Sequence, residues 1–170
     1  MTTSPLASAA ATRELLEAFG LATKHRLGQN FLIDNHVIEH ICALAELRPE
    51  ERVLEVGPGI GTLTLALLQE AGKVVSIEAD PELEQVLWSH SVEHPNFAFI
   101  MGDALKVDLG AVGLPVPVNH VAQLDTVDMR DEHPRFKTFT CSRAIRLYLN
   151  YRCTLPRISL SARFILEEGT

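Results

Sequence analysis

The most constraining feature of this chain is a short apolar run that breaks directly into glycine. Arg52-Val53-Leu54-Glu55-Val56 has the length and composition of a buried strand, and Gly57-Pro58-Gly59-Ile60-Gly61 follows with no spacer. A helical stretch, Thr62 to Glu70, comes next and is closed by Gly72. Strand, glycine-rich turn and helix, in that order, form the corner at which open α/β sheets bind ligands, off the carboxyl ends of the strands. Glycine suits that corner because it adopts positive φ at little cost and lets a ligand approach bare backbone.

The flanking sequence continues the alternation. Thr12 to Leu21 reads as a short helix ending near Gly20. Asn35 to Leu47 reads as a helix with Val37, Ile38, Ile41, Cys42 and Ala45 on one face, capped by Asp34 and stopped by Pro49. Lys73 to Glu78 is a second strand, and Asp80-Pro81 opens a helix whose stripe is Leu83, Val86, Leu87 and His90. Phe97 to Met101 and His120 to Leu124 supply a third and a fourth strand. Strands alternating with helices predict a doubly wound α/β fold around a parallel sheet. Beyond that point the period changes to two: Ile145, Leu147, Leu149, Tyr151, Cys153 and Leu155, then Ile158, Leu160, Ala162 and Phe164 after Pro156. This predicts two strands around a proline turn.

Composition narrows the class. At 170 residues, 46% hydrophobic and 22% charged, the chain suits one soluble domain with a substantial core. No apolar run approaches the ~20 residues of a membrane span. Met1 to Ala11 has neither the basic residues nor the apolar stretch of a secretory signal, so a cytoplasmic location is expected. Cys42, Cys141 and Cys153 are too few and scattered for a disulfide or zinc framework. Charge is unevenly spread. Residues 1–123 carry 7 Lys+Arg against 16 Asp+Glu, a net −9, whereas residues 124–170 carry 8 against 6, a net +2. A composition boundary falls near Gln123.

The acids after the glycine turn point to a ligand class. Glu78 stands 17 residues after Gly61, at the end of the second strand, where a carboxylate accepts hydrogen bonds from ribose hydroxyls. Asp103 closes the third strand in the same way and suits an adenine amino group. The glycine spacing is G-x-G-x-G rather than G-x-G-x-x-G, and Glu55 just before it would repel a pyrophosphate. A nucleoside with positive charge and no phosphate fits better, and S-adenosylmethionine is such a ligand. The alternative is an ordinary strand-to-helix turn with surface acids.

These residues together resemble a known family. Lys24 to Leu32, closing with Gly28-Gln29-Asn30-Phe31-Leu32, then Glu55-Val56-Gly57-Pro58-Gly59-Ile60-Gly61, Ile77-Glu78-Ala79-Asp80 and Gly102-Asp103-Ala104, occur in the order found in the small-subunit ribosomal RNA adenine N6-dimethyltransferases. The resemblance covers about Lys24 to Gln123. It implies a Rossmann-like class I methyltransferase fold, a parallel sheet with helices on both faces, here incomplete. It also implies S-adenosylmethionine as cofactor, held by Asn30, Leu32, Gly57, Glu78 and Asp103. The substrate it implies is small-subunit rRNA or a pre-ribosomal particle, dimethylated at N6 of two adjacent adenines, with neither membrane nor metal involved. The corresponding division of the chain is an N-terminal extension (1–23), an S-adenosylmethionine-binding domain (24–123) and a divergent tail (124–170).

The chain departs from that family at one place. The family's catalytic Asn-Leu-Pro-Tyr, which accepts the N6 hydrogens and stacks the extruded base, is replaced by Val121-Ala122-Gln123-Leu124-Asp125-Thr126. Gln123 stands in the position of the Asn, and catalytic residues are left unassigned. Motif loss, charge reversal and composition shift coincide here. That predicts either an out-of-frame or foreign continuation, or a divergent tail that completes the sheet with a hairpin. Two further readings therefore stand beside the enzyme: an inactive S-adenosylmethionine- or RNA-binding protein, and a nicotinamide-dependent oxidoreductase, which Glu55 and the glycine spacing disfavour.

Several other signals have plain readings. His36-Val37-Ile38-Glu39-His40 matches H-x-x-E-H, a zinc-protease pattern, but reads as a solvated helix face with no third ligand in view. Lys24, His25 and Arg26 suit either RNA phosphate or an exposed loop. Phe31 suits the ligand site or the core, Trp88 falls off its helix stripe, and Cys42 reads as a small buried apolar residue.

Overall fold

The computed structural model describes residues 2–21, 31–104, 106 and 107, together with the backbone of three strands at 118–125, 141–150 and 161–168. Its elements are α1 (Ala9–Ala18), α2 (Asn35–Ala45), β1 (Arg52–Val56), α3 (Thr62–Glu70), β2 (Lys73–Glu78), α4 (Glu84–Glu93), β3 (Phe97–Met101), β4 (Val118–Asp125), β5 (Cys141–Asn150) and β6 (Ser161–Glu168). They form one sheet in the order β3-β2-β1-β4-β5-β6. Strands β1 to β5 run parallel, and β6 is antiparallel to β5 at the edge. The direction of growth reverses at β1, which has β2 on one side and β4 on the other. Such a switch point opens a crevice at the carboxyl ends of the strands.

The expected strands β1, β2 and β3 have the observed boundaries, because each apolar run is bounded by charge, proline or glycine. The helices shift by a few residues. The first spans Ala9–Ala18 rather than 12–21, since the Ser8 hydroxyl accepts from the Ala11 N–H and starts it earlier. The second ends at Ala45, where Glu46 turns into the left-handed region at φ 47°. Asp80 caps as expected, accepting from the Glu82 N–H at 3.0 Å, but the turn it opens, Pro81–Leu83, is a 3₁₀ turn that leads into α4. The period-two tail becomes β5 and β6, a few residues from their predicted places, with Asn150 paired to Ser161. Within the tail, Cys141–Asn150 and Ser161–Glu168 are thus two further strands of the same sheet.

Register assigns each strand residue to a face. Val53, Val74 and Phe97 lie in one row, with Glu55, Ser76 and Phe99 two residues on; Leu54, Val75 and Ala98 lie in the row of opposite sense. The first face carries the main core, to which α1, α2, α3 and α4 all contribute. Leu54, Val75 and Ile77 lie on the other face, packed by Ala98, Ile100, Ala104 and Val107. Leu83 of the 3₁₀ turn and Val86 and Leu87 of α4 are fully buried on the first face, each contributing about 1.5–3 kcal/mol of hydrophobic stabilisation.

The N-terminal residues, expected as an extension, share that core through Leu6, Ala7, Leu16 and Leu21. Polar contacts fasten them as well. The Thr2 hydroxyl donates to Glu70, Gln69 Nε2 donates to the Thr3 carbonyl, and the Ser4 N–H donates to Asn35 Oδ1.

Candidate functional site

The glycine turn leaves the carboxyl end of β1 beside the crevice. All three of its glycines hold positive φ: 73° at Gly57, 59° at Gly59 and 85° at Gly61. All three N–H groups are used within the protein. Gly57 donates to the Ile77 carbonyl at 2.9 Å, Gly59 to Glu78 Oε2 at 3.0 Å, and Gly61 to the Pro58 carbonyl at 2.9 Å. A turn that cradles phosphate keeps such donors for its ligand. Here they are spent on shaping the turn.

Glu78 is the acid that fixes this shape. It is buried at the tip of β2, and its second oxygen accepts from the Asp80 N–H at 2.9 Å. Each oxygen thus holds one backbone donor and keeps a further lone pair. The Glu78 carbonyl also accepts from the Gly102 N–H at 2.7 Å, which ties the tip of β3 to that of β2. The next residue, Asp103, is exposed and forms a 3.0 Å ion pair with Lys106.

Glu55 corrects an expectation. Its carboxylate is no surface charge facing a ligand: it is fully buried on the helix-covered face of the sheet. Its Oε2 accepts from the Thr64 hydroxyl at 2.6 Å and the Ser76 hydroxyl at 2.7 Å, joining β1, β2 and α3, while Oε1 has no hydrogen-bond partner. Burial pushes the carboxyl up to about 7, with the two hydroxyls opposing the shift and Glu78 adding a small rise. The reason is register: Glu55 is in phase with Val53, whose face the helices cover.

The remaining predicted residues divide. Leu32 is buried in the main core, and Gly57 lies in the turn. Asn30, together with Lys24, His25 and Arg26, lies outside the described residues. Phe31 is half-buried, and its ring edge lies 3.7 Å from where a Cβ on Gly59 would sit, so the aromatic ring flanks the turn. Gln123 is level with Val56 in the β1–β4 register, at the crevice end of its strand. Cys42 is buried with its thiol pushed up to about 12, mainly by burial. Trp88 is exposed, and so is His36, whose Nδ1 is 3.8 Å from Glu39. Among the described residues no cluster of three metal-ligating side chains occurs, and no helix is long and apolar enough to cross a membrane.

One contact was missed by the sequence reading. The ring of His90 on α4 is buried against the glycine turn, with Nε2 3.0 Å from the Ile60 carbonyl. Its place on an apolar stripe signalled only core.

Comparison with known proteins settles the family. The family described as "Ribosomal RNA adenine dimethylase" matches residues 20–139, well over half of the chain. The chain belongs to that family. The match continues past the composition boundary at Gln123. The chain is similar to the ribosomal RNA small subunit methyltransferase A of Clostridium acetobutylicum, with 42% identity over 66% of this chain and 41% of that protein. Among solved structures it is similar to the 23S rRNA methyltransferase ErmE, with 30% identity, a TM-score of 0.59, and 71% of this chain and 48% of that one covered. It shares a fold with an RNA methyltransferase from Salinibacter ruber, solved with S-adenosyl-L-homocysteine, at 19% identity and a TM-score of 0.52, covering 66% of this chain and 74% of that one. The chain spans about two fifths of the length of the curated relative it matches.

Proposed function

We propose that this chain forms the cofactor-binding half of an S-adenosylmethionine-dependent adenine N6-dimethyltransferase that acts in the cytoplasm on small-subunit rRNA or a pre-ribosomal particle. The observation that carries this reading is the internal use of every glycine N–H in the turn, with Glu78 as one of the acceptors. A pyrophosphate would find those donors taken and a carboxylate at the same spot. A nucleoside without phosphate meets bare backbone and a carboxylate with lone pairs to spare. That disfavours a nicotinamide dinucleotide.

In this reading Glu78 accepts from the ribose hydroxyls and Asp103 from the adenine amino group. Gly57 allows close approach, and Asn30 and Leu32 belong to the wall from the entry segment. Bound S-adenosylmethionine supplies an electrophilic methyl on its sulfonium. The protein's part is to hold the two reactants in line and exclude water, a proximity effect worth several kcal/mol. Gln123 stands where the family has its Asn; its amide oxygen is the acceptor this chain offers for an N6 hydrogen.

Replacement of Asn-Leu-Pro-Tyr by Gln123-Leu124-Asp125-Thr126 favours a second reading, a binding protein without transferase activity. One experiment separates the two. The full chain is titrated with S-adenosylmethionine and S-adenosylhomocysteine in a calorimeter, then incubated with methyl-labelled cofactor and undermethylated small-subunit particles. Binding with label in N6-methyladenine supports the enzyme, and binding without transfer supports the second reading. No heat with either nucleoside overturns the enzyme and the cofactor-binding form of the second reading alike.

A further inference from the structure

We propose that His90 is a positioning residue for the glycine turn, setting from α4 the backbone shape on which ligand binding there depends; the ligand part of this inference rests on the cofactor reading above. Ile60 is fully buried, so its carbonyl has no access to water and must find a protein donor. A carbonyl oxygen can only accept, so the 3.0 Å contact requires the proton on His90 Nε2. Burial lowers the imidazole below its ordinary range, which keeps the ring neutral and available in that tautomer.

The ring also fits a space that a side chain at position 61 would fill. A Cβ on Gly61 would lie 2.8 Å from His90 Cδ2 and 3.1 Å from Nε2. Gly61 is therefore glycine twice over, for its φ of 85° and for the histidine seated against it. Val86 and Leu87 bury the same helix in the core, and Leu83 buries the turn that leads into it, so the donor is delivered from a rigid element. The turn is braced from two elements: Glu78 of β2 holds the Gly59 N–H, and His90 of α4 holds the next residue's carbonyl. Proton position and ring volume together, not ring volume alone, define the role.

The test compares His90→Phe, which keeps a ring but loses the donor, with His90→Gln, whose side-chain amide nitrogen is as many bonds from Cα as Nε2. Amide hydrogen exchange at Gly59 and Gly61, referenced to Val53 and Val75, is read without any ligand. S-Adenosylhomocysteine affinity is read by calorimetry, all on the full chain. In His90→Phe the two glycine amides are expected to exchange about tenfold faster and affinity to fall about tenfold, the effect of orphaning a buried carbonyl. His90→Gln is expected to stay within about threefold of the parent in both. A Phe variant that matches the parent, or a Gln variant as impaired as Phe, overturns the proposal. Nitrogen-15 correlation spectra of the parent protein provide a check that needs no variant: a proton on Nε2 supports the role, and one on Nδ1 alone refutes it. If the parent binds no S-adenosylhomocysteine, the cofactor reading fails, while exchange and tautomer still decide the part played by His90.

Discussion

The underside of the glycine turn and its rim are built from the same residue type and do opposite work. Beneath the turn, Glu55 is sealed between β1, β2 and α3 with two hydroxyls for company. At the rim, Glu78 is held by two backbone N–H groups at the end of its strand. The acids stand near the ends of neighbouring strands, yet one is a cross-brace and the other shapes the turn and, in the proposed function, binds the ribose. What separates them is the donor set and the place along the strand: both lie on the face that Ser76 shares, but Glu55 sits one residue inside β1 whereas Glu78 is the last residue of β2. A carboxylate at a strand tip has no function until its surroundings are known.

The largest test of this contrast is Glu78→Ala. It orphans the Gly59 and Asp80 N–H groups and removes the proposed ribose acceptor, so affinity for S-adenosylhomocysteine should fall by about 3 kcal/mol, more than a hundredfold in a calorimetric titration. An unchanged affinity would break the assignment of the rim as the binding side.

The underside should announce itself through pH. The Glu55 carboxyl is raised from 4.5 to about 7 in the folded protein, so the native state binds this proton more tightly than the unfolded chain does. The contribution of Glu55 to stability is therefore greatest below about 4.5, falls as pH rises between those two values, and levels off above 7, a total of about 3 kcal/mol. Glu55→Gln keeps an acceptor for both hydroxyls and cannot ionise. Urea unfolding at a series of pH values should show that fall in the parent and lose it in the variant. Ser76→Ala removes one of the two donors from Glu55 and should cost about 1–2 kcal/mol at pH 8 by the same method. The smallest effect is expected at the outer rim. Asp103 and Lys106 form an exposed pair, so Lys106→Ala should change the unfolding midpoint little, the equivalent of about 0.5 kcal/mol or less. A larger loss would place that pair in the same class as the buried brace.

Much of the architecture was legible from residue patterns. The bounds of β1, β2 and β3 follow from short apolar runs closed by charge, proline or glycine, and Asp34 and Asp80 are caps as their side-chain chemistry requires. The distance of Glu78 from the glycines marks it as an acid beside the turn, but does not reveal that its oxygens hold the Gly59 and Asp80 N–H groups. Glu55 was misread because β1 is apolar on both faces: the period of two says that Glu55 lies with Val53, but not which row the helices cover. His90 was seen only as one member of a stripe, since its partner carbonyl is 30 residues away in sequence. The N-terminal segment looked separate because its fastenings, Gln69, Glu70 and Asn35, belong to other elements.

By itself, the order of residues determined that this chain would alternate strands with helices, bend at three glycines and carry acids at its strand ends, because local propensity, hydrophobic period and glycine's freedom at positive φ act over a few neighbouring residues. Only the folded arrangement decided which acid is sealed beneath the turn and which sits at its rim, that the glycine donors are already taken, and that a histidine from α4 grips the turn. Those facts depend on register and on contacts between distant segments, and desolvation, which gives Glu55 its character, exists only once the helices have closed over the sheet.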